Sequence, residues 1–141
     1  MDIYLREVAG KGRGVFAARN FKRGELVEAA PVIVIPDEDV DLIDKTAIAD
    51  YYYKWGDSHF ALALGYGSLY NFSATPNLSF EPDLKNKVML YRARKSIQKD
   101  QELTINYQCD LWFEPIHWFK YVLKDQVASW YAVEEKNAVI R

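Results

Sequence analysis

The stretch Gly65-Tyr66-Gly67-Ser68-Leu69-Tyr70-Asn71-Phe72-Ser73-Ala74-Thr75-Pro76-Asn77 decides how this chain is read. It alternates small, aromatic and polar residues between two apolar runs, 61–64 and 78–80. Gly65 and Gly67 permit backbone angles or close approaches that a side chain would block. Pro76 fixes its own φ and pushes Thr75 towards an extended shape. Asn71, Ser73, Thr75 and Asn77 can each bond nearby backbone groups. The stretch therefore reads as a polar loop held at the centre of a sheet protein. Alone, it reads as a decorated turn.

A second block, Glu102-Leu103-Thr104-Ile105-Asn106-Tyr107, changes that balance. A loop of the form Asn-x-Ser-x-x-Pro-Asn followed by Glu-Leu-Thr-x-x-Tyr resembles the SET-domain methyltransferases. The opening Gly12-Arg13-Gly14-Val15-Phe16-Ala17 and the later Arg23-Gly24-Glu25-Leu26-Val27 are similar to that family's first block. The resemblance covers roughly residues 10–113, and three blocks in order are more specific than any one. One departure stands out: Phe72 occupies the position where the family usually has His.

Composition is compatible with this. A chain of 141 residues, 50% hydrophobic and 15% aromatic, is expected to be one domain with a real core. The net charge of −2 argues against a dominant nucleic-acid footprint. The N-terminus lacks an apolar secretory core, and no apolar run approaches the roughly 20 residues of a membrane helix. Cys109 is the single cysteine, so no internal disulfide or cysteine-rich zinc cluster can form. The expectation is a soluble intracellular protein. His59 and His117 are isolated, lack metal-ligand spacing and read as structural or surface histidines, so no metal is expected.

Along the chain, residues 3–8 read as a first strand. Residues 15–18 and 25–30 read as a hairpin around Lys22-Arg23-Gly24. Residues 31–36, β-branched and flanked by prolines, read as a fully buried strand. The five acids in 37–44 suit a solvated helix start, or an electrostatic collar for basic peptides. Tyr51-Tyr52-Tyr53-Lys54-Trp55 is mostly core, with one ring available to line a channel. Residues 78–81 and 88–93 flank a turn-rich hairpin connection. Residues 18–26 are echoed by 93–103, each placing an apolar anchor before a basic turn, which reads as two similar hairpins. From Pro115, apolar residues recur every three or four positions, giving an amphipathic helix that packs on the sheet, on the active site or on a partner.

The fold class expected is mostly β with short helices. The resemblance implies more: a SET domain over 1–113 with several small sheets and a C-terminal pseudoknot, and a helical extension over 114–141. It implies a protein-lysine N-methyltransferase using S-adenosylmethionine, acting on a basic, histone-like tail. By the same resemblance Tyr107 is the catalytic tyrosine. Gly12, Arg13, Gly14, Tyr70, Asn71, Phe72 and Trp112 would bind the cofactor. Phe72 still offers backbone groups, although any bond from an imidazole is lost. Trp112 reads equally as a packing residue. Tyr52, Phe80, Ile105 and Tyr107 would line the substrate-lysine channel, and a Phe at position 80 leaves room for multiple methylation. The 115–131 helix would replace the family's zinc-binding tail or form a homodimer face. The competing reading is a catalytically weak SET-like peptide- or protein-binding module, motivated by Phe72 and by Gln108 after the tyrosine.

Overall fold

The computed structural model describes residues 2–107. Strand β1 (Ile3–Val8) turns at positive-φ Gly10 and Gly12 into the antiparallel β2 (Gly12–Ala17). Strand β3 (Leu26–Pro36) leads into a 3-10 turn (Asp37–Asp39), a single-turn helix α1 (Val40–Ile43) and a second 3-10 turn (Ala47–Asp50). Then follow β4 (Tyr52–Trp55), β5 (His59–Ala63), the short β6 (Asn71–Phe72), β7 (Leu78–Asp83), β8 (Val88–Ala93) and β9 (Glu102–Ile105). These strands form two sheets, ordered β1-β2-β9-β6 and β4-β5-β3-β8-β7. The mostly-β expectation holds, and among the described residues helix is confined to short turns. Among the described residues no helix is long and apolar enough to cross a membrane.

The main core gathers Val15, Phe21, Tyr53, Tyr70, Met89, Tyr91, Leu103 and Ile105 from both sheets. A smaller cluster of Ile35, Val40, Tyr52 and Phe60 seals α1 onto the β3–β5 end. The strand over 78–83 and its partner over 88–93 form the expected hairpin, in register from Leu78↔Ala93 to Asp83↔Val88.

Two local expectations are corrected. Residues 15–18 and 25–30 do not form a hairpin: β2 pairs with β1 and β9, whereas β3 pairs with β5 and β8. The intervening turn crosses between sheets and is anchored at a distance, by the Phe21↔Ile97 bridge and by the Gly24 N–H donating to the Ala93 carbonyl at 2.7 Å. Residues 31–36 are not fully buried either. They alternate, with Ile33 53% exposed, because β3 packs one face on the core while only its end is covered by α1.

The internal echo has a physical form. The two turns pair with each other about Phe21↔Ile97, each N–H donating to the other's carbonyl at 2.8 and 2.9 Å. Gly24 N–H to Ala93 O is matched by Asp100 N–H to Ala17 O, both 2.7 Å. Lys22 N–H to Glu25 Oε1 is matched by Gln98 N–H to Gln101 Oε1. Gly24 and Asp100 also share a left-handed φ, 86° and 70°.

Candidate functional site

Strand β9 is wholly buried and sits between β2 and β6, antiparallel to the first and parallel to the second. The polar residues of the central loop hold it there. Asn77 Nδ2 donates to the Glu102 carbonyl at 2.8 Å, and the Thr104 N–H donates to Asn77 Oδ1 at 2.9 Å. The Ser73 N–H donates to the Ile105 carbonyl at 2.9 Å. These bonds use the loop amides as substitutes for a sheet neighbour, which is why Asn and Ser occur at these positions.

Asn71 points the other way, across β9. Its Nδ2 donates both hydrogens, to the Arg13 carbonyl at 2.9 Å and to Glu102 Oε2 at 2.8 Å. The amide oxygen is therefore the group Asn71 has available for a ligand donor. Gly14 makes this junction possible. A Cβ there would strike the Glu102 carboxylate and would lie 2.8 Å from Val8 Cγ2 and 3.0 Å from Asn71 Nδ2. Lys11 closes the same corner, with Nζ 3.7 Å from Glu102 Oε1 and 3.4 Å from the Phe72 carbonyl.

Tyr107 follows directly from β9. Its hydroxyl donates to the Tyr70 carbonyl at 3.0 Å, and its ring lies tilted against Phe72 at 5.6 Å between centroids. Burial pushes its pKa well above the ordinary tyrosine value. The Glu102 carboxylate adds to the push, then Tyr51 and Asp50, while a backbone hydrogen bond from Phe72 opposes it. Tyr107 is thus held as a neutral phenol.

A cavity of about 190 Å³ opens at this point. Gly12, Arg13 and Lys11 line one side, Ser68, Leu69, Tyr70 and Tyr107 another, and 50–53 a third. Five sequence-chosen residues, Gly12, Arg13, Tyr52, Tyr70 and Tyr107, line it. Gly14, Asn71 and Phe72 stand immediately behind this wall. Phe80 is buried and packs edge-on against Tyr53 at 5.3 Å. Ile105 is buried beside Phe72 in the β6–β9 ladder. Tyr52 reaches the cavity, but its hydroxyl donates to Asp44 Oδ1 at 2.6 Å and its ring belongs to the smaller cluster. Trp112, Cys109, Gln108, His117 and the 115–131 helix lie outside the described residues. His59 is exposed, with Nδ1 3.0 Å from Ser58 Oγ.

Sequence reasoning missed Tyr51. It lines the cavity beside Asp50, and its phenol contributes to the raised pKa of Tyr107. Tyr51 ends the 3-10 turn just before β4 and is exposed, whereas Tyr53, inside β4, is buried with its ring against Phe80. No local sequence pattern marks Tyr51. Glu28 was missed as well. Its carboxylate accepts from the Tyr70 hydroxyl at 2.7 Å and from the Tyr66 N–H at 2.9 Å, across more than thirty residues of chain.

The comparisons with known proteins show the family and the fold. The SET domain family matches residues 12–108. A Schizosaccharomyces pombe histone-lysine N-methyltransferase, specific for H3 lysine-37, is 33% identical over 113 residues, 79% of this chain and 77% of its own length. A crystal structure of a Plasmodium falciparum protein assigned as a histone methyltransferase superposes with a TM-score of 0.64 at 33% identity, over 77% of this chain and 99% of that one. A chain of apo ctPRC2 gives the same TM-score at 17% identity, over 74% of this chain and 15% of its own, and speaks to the fold alone.

Proposed function

This chain belongs to the SET-domain family and is a protein-lysine methyltransferase; from that premise we propose that the cavity between Gly12 and Tyr107 is where a lysine of a basic, histone-like segment is methylated, with S-adenosylmethionine as donor. SET-domain methyltransferases as a class use that cofactor. The observation that carries the reading is the convergence at one cavity of the Gly12-Arg13 loop, the Tyr70 carbonyl and the Tyr107 hydroxyl.

The residues present fit the cofactor. A sulfonium is a cation, and the corner offers the Glu102 and Asp50 carboxylates and several aromatic faces. An amino group would find the Asn71 amide oxygen, since both Nδ2 hydrogens are used. The cavity is smaller than the roughly 300–1,000 Å³ of sites that enclose whole ligands. It therefore suits the reacting end, with the remainder of the ligand extending past exposed Gly12 and Arg13. When bound, S-adenosylmethionine supplies a methyl group already made electrophilic by its sulfonium sulfur.

The protein has three tasks around that group. It brings the amine close and in line, which is a positional gain. Tyr107 keeps its proton: its hydroxyl donates to the Tyr70 carbonyl and accepts from the Phe72 N–H, so the phenol oxygen is held in a fixed direction at the cavity. Burial in the cavity, beside the positive sulfonium, disfavours an ammonium, so the substrate lysine enters or becomes neutral there. Recognition of a basic segment is supported by the acids over 37–50, which run up to the cavity: Asp44 bonds Tyr52, and Asp50 lines the wall.

The test is transfer of labelled methyl groups to a histone-tail peptide array, with Tyr107→Phe alongside. The expected result is labelling of lysine peptides by the wild type, with cofactor binding retained and most turnover lost in the variant. Full turnover by Tyr107→Phe would remove Tyr107 from the mechanism.

A further inference from the structure

Glu28 lies far from the cavity in sequence and does not line it, yet three observations tie it to the reacting phenol. First, it follows a β-bulge. The register of β3 against β8 shifts between Leu26 and Glu28, so Val27 is extra and Glu28 comes to face Tyr91. Bulges re-aim side chains and gather near active sites. Second, the carboxylate is used on both oxygens by the central loop: Oε1 accepts from the Tyr70 hydroxyl at 2.7 Å, Oε2 from the Tyr66 N–H at 2.9 Å. Gly65, at φ 59°, is the residue that lets the loop approach, because a Cβ there would collide with Glu28 Oε2. Third, the residue so gripped is the one whose main-chain carbonyl accepts the Tyr107 hydroxyl at 3.0 Å.

We infer that Glu28 is a positioning residue for methyl transfer. By holding the Tyr70 side chain and the Tyr66 amide, it fixes the Tyr70 carbonyl, and through that carbonyl it sets the direction of the Tyr107 hydroxyl. A loop rich in glycine would otherwise move as a unit, and a shift of well under 1 Å at a reacting oxygen is enough to slow a transfer that depends on alignment. The inference rests on the methyltransferase reading for its kinetic consequence, but the link itself is a property of the fold.

The experiment uses the full chain with 13C-labelled tyrosine rings, the Tyr107 signal being assigned by its loss in Tyr107→Phe. Glu28→Leu removes both acceptors, Tyr70→Phe removes one donor, and Glu28→Gln keeps an acceptor for the Tyr66 N–H and an amide beside the Tyr70 hydroxyl. Glu28→Leu and Tyr70→Phe are each expected to displace the Tyr107 signal and to lower kcat about tenfold, the size of one lost hydrogen bond, with the peptide KM little changed. Glu28→Gln should recover most of both losses. The double variant Glu28→Leu/Tyr70→Phe should be little worse than Glu28→Leu, since both cut one link. An unmoved Tyr107 signal in folded Glu28→Leu, or fully additive losses in the double variant, would overturn the inference. Absence of methylation by the wild type would strike the functional reading instead, and the ring signals would still decide the role of Glu28.

Discussion

The Asn71 amide nitrogen and the Glu102 carboxylate lie 2.8 Å apart, joining the central loop to β9 across Gly14. This contact orients Asn71, because a carboxylate accepts and never donates when ionised. The nitrogen must face Glu102, and the oxygen must face away. The pair also places a negative charge beside Tyr107, where it helps keep the phenol neutral.

Asn71→Asp tests that orientation. The substitution is nearly isosteric but sets two carboxylates against each other at hydrogen-bond distance, with the Arg13 carbonyl also facing the new acid. Expected at pH 7 is a loss of about 2–4 kcal/mol in urea unfolding and much weaker cofactor binding by calorimetry. One carboxyl of the pair would have its pKa raised, so the folded state would take up a proton that the unfolded state releases. The deficit should therefore shrink as pH falls from 7 towards 5. A deficit that grows on acidification would contradict the arrangement.

The paired turns give a second test, independent of activity. Gly24 and Asp100 occupy equivalent left-handed positions, yet only one is glycine. Gly24→Ala should cost about 1 kcal/mol, since a Cβ there meets open space and the penalty is conformational. Asp100→Gly should relieve strain of similar size, less the exposed bond that Asp100 Oδ1 accepts from the Tyr4 hydroxyl. Thermal unfolding of the two variants should shift in opposite directions.

The two motif blocks were legible because their chemistry is local: an Asn, Ser and Pro loop, and an apolar strand ending in Tyr107. Sequence period also gave β1, β7 and β8. What it could not give was partnership between distant segments. Nothing near Val15 says that it faces Leu103 rather than β3, and nothing near Glu28 says that Tyr70 lies above it. Ile33 misled because its neighbours are all apolar, while exposure depends on which face a distant element covers. The tyrosine triplet could be placed near a channel from its composition, but which of its rings reach the cavity depends on where the turn before β4 ends.

Alkaline stability follows from three phenols. Tyr70, Tyr91 and Tyr107 all have pKa values raised above the ordinary 10.0, in each case chiefly by burial. Unfolded, they would ionise near pH 10; folded, they retain their protons. The native state thus binds more protons above pH 10, so stability is level below that pH and falls above it. The slope should approach about 4 kcal/mol per pH unit when all three contribute, at roughly 1.4 for each. Urea midpoints measured from pH 8 to 11.5 should show the break, and Tyr91→Phe should reduce the slope by about a third.

The degree of methylation is the last consequence of the site. Phe80 packs against Tyr53 and Tyr91, and both of those hydroxyls donate to the Gly67 carbonyl, at 2.6 and 2.8 Å. Phe80 stands behind Tyr53, which lines the cavity, and adds no polar atom there, so it offers neither an acceptor for an amine proton nor a site for a bound water that would restrict turning of a methylated amine. Product from the wild type at saturating cofactor should therefore extend to di- and trimethyl-lysine by mass spectrometry. Phe80→Tyr adds a hydroxyl whose lone pairs can engage the amine or a water, and should shift the distribution towards monomethyl product with little change in the first transfer. A wild type that stops at monomethyl-lysine under those conditions would show that a residue lining the cavity, rather than Phe80 behind it, sets the limit.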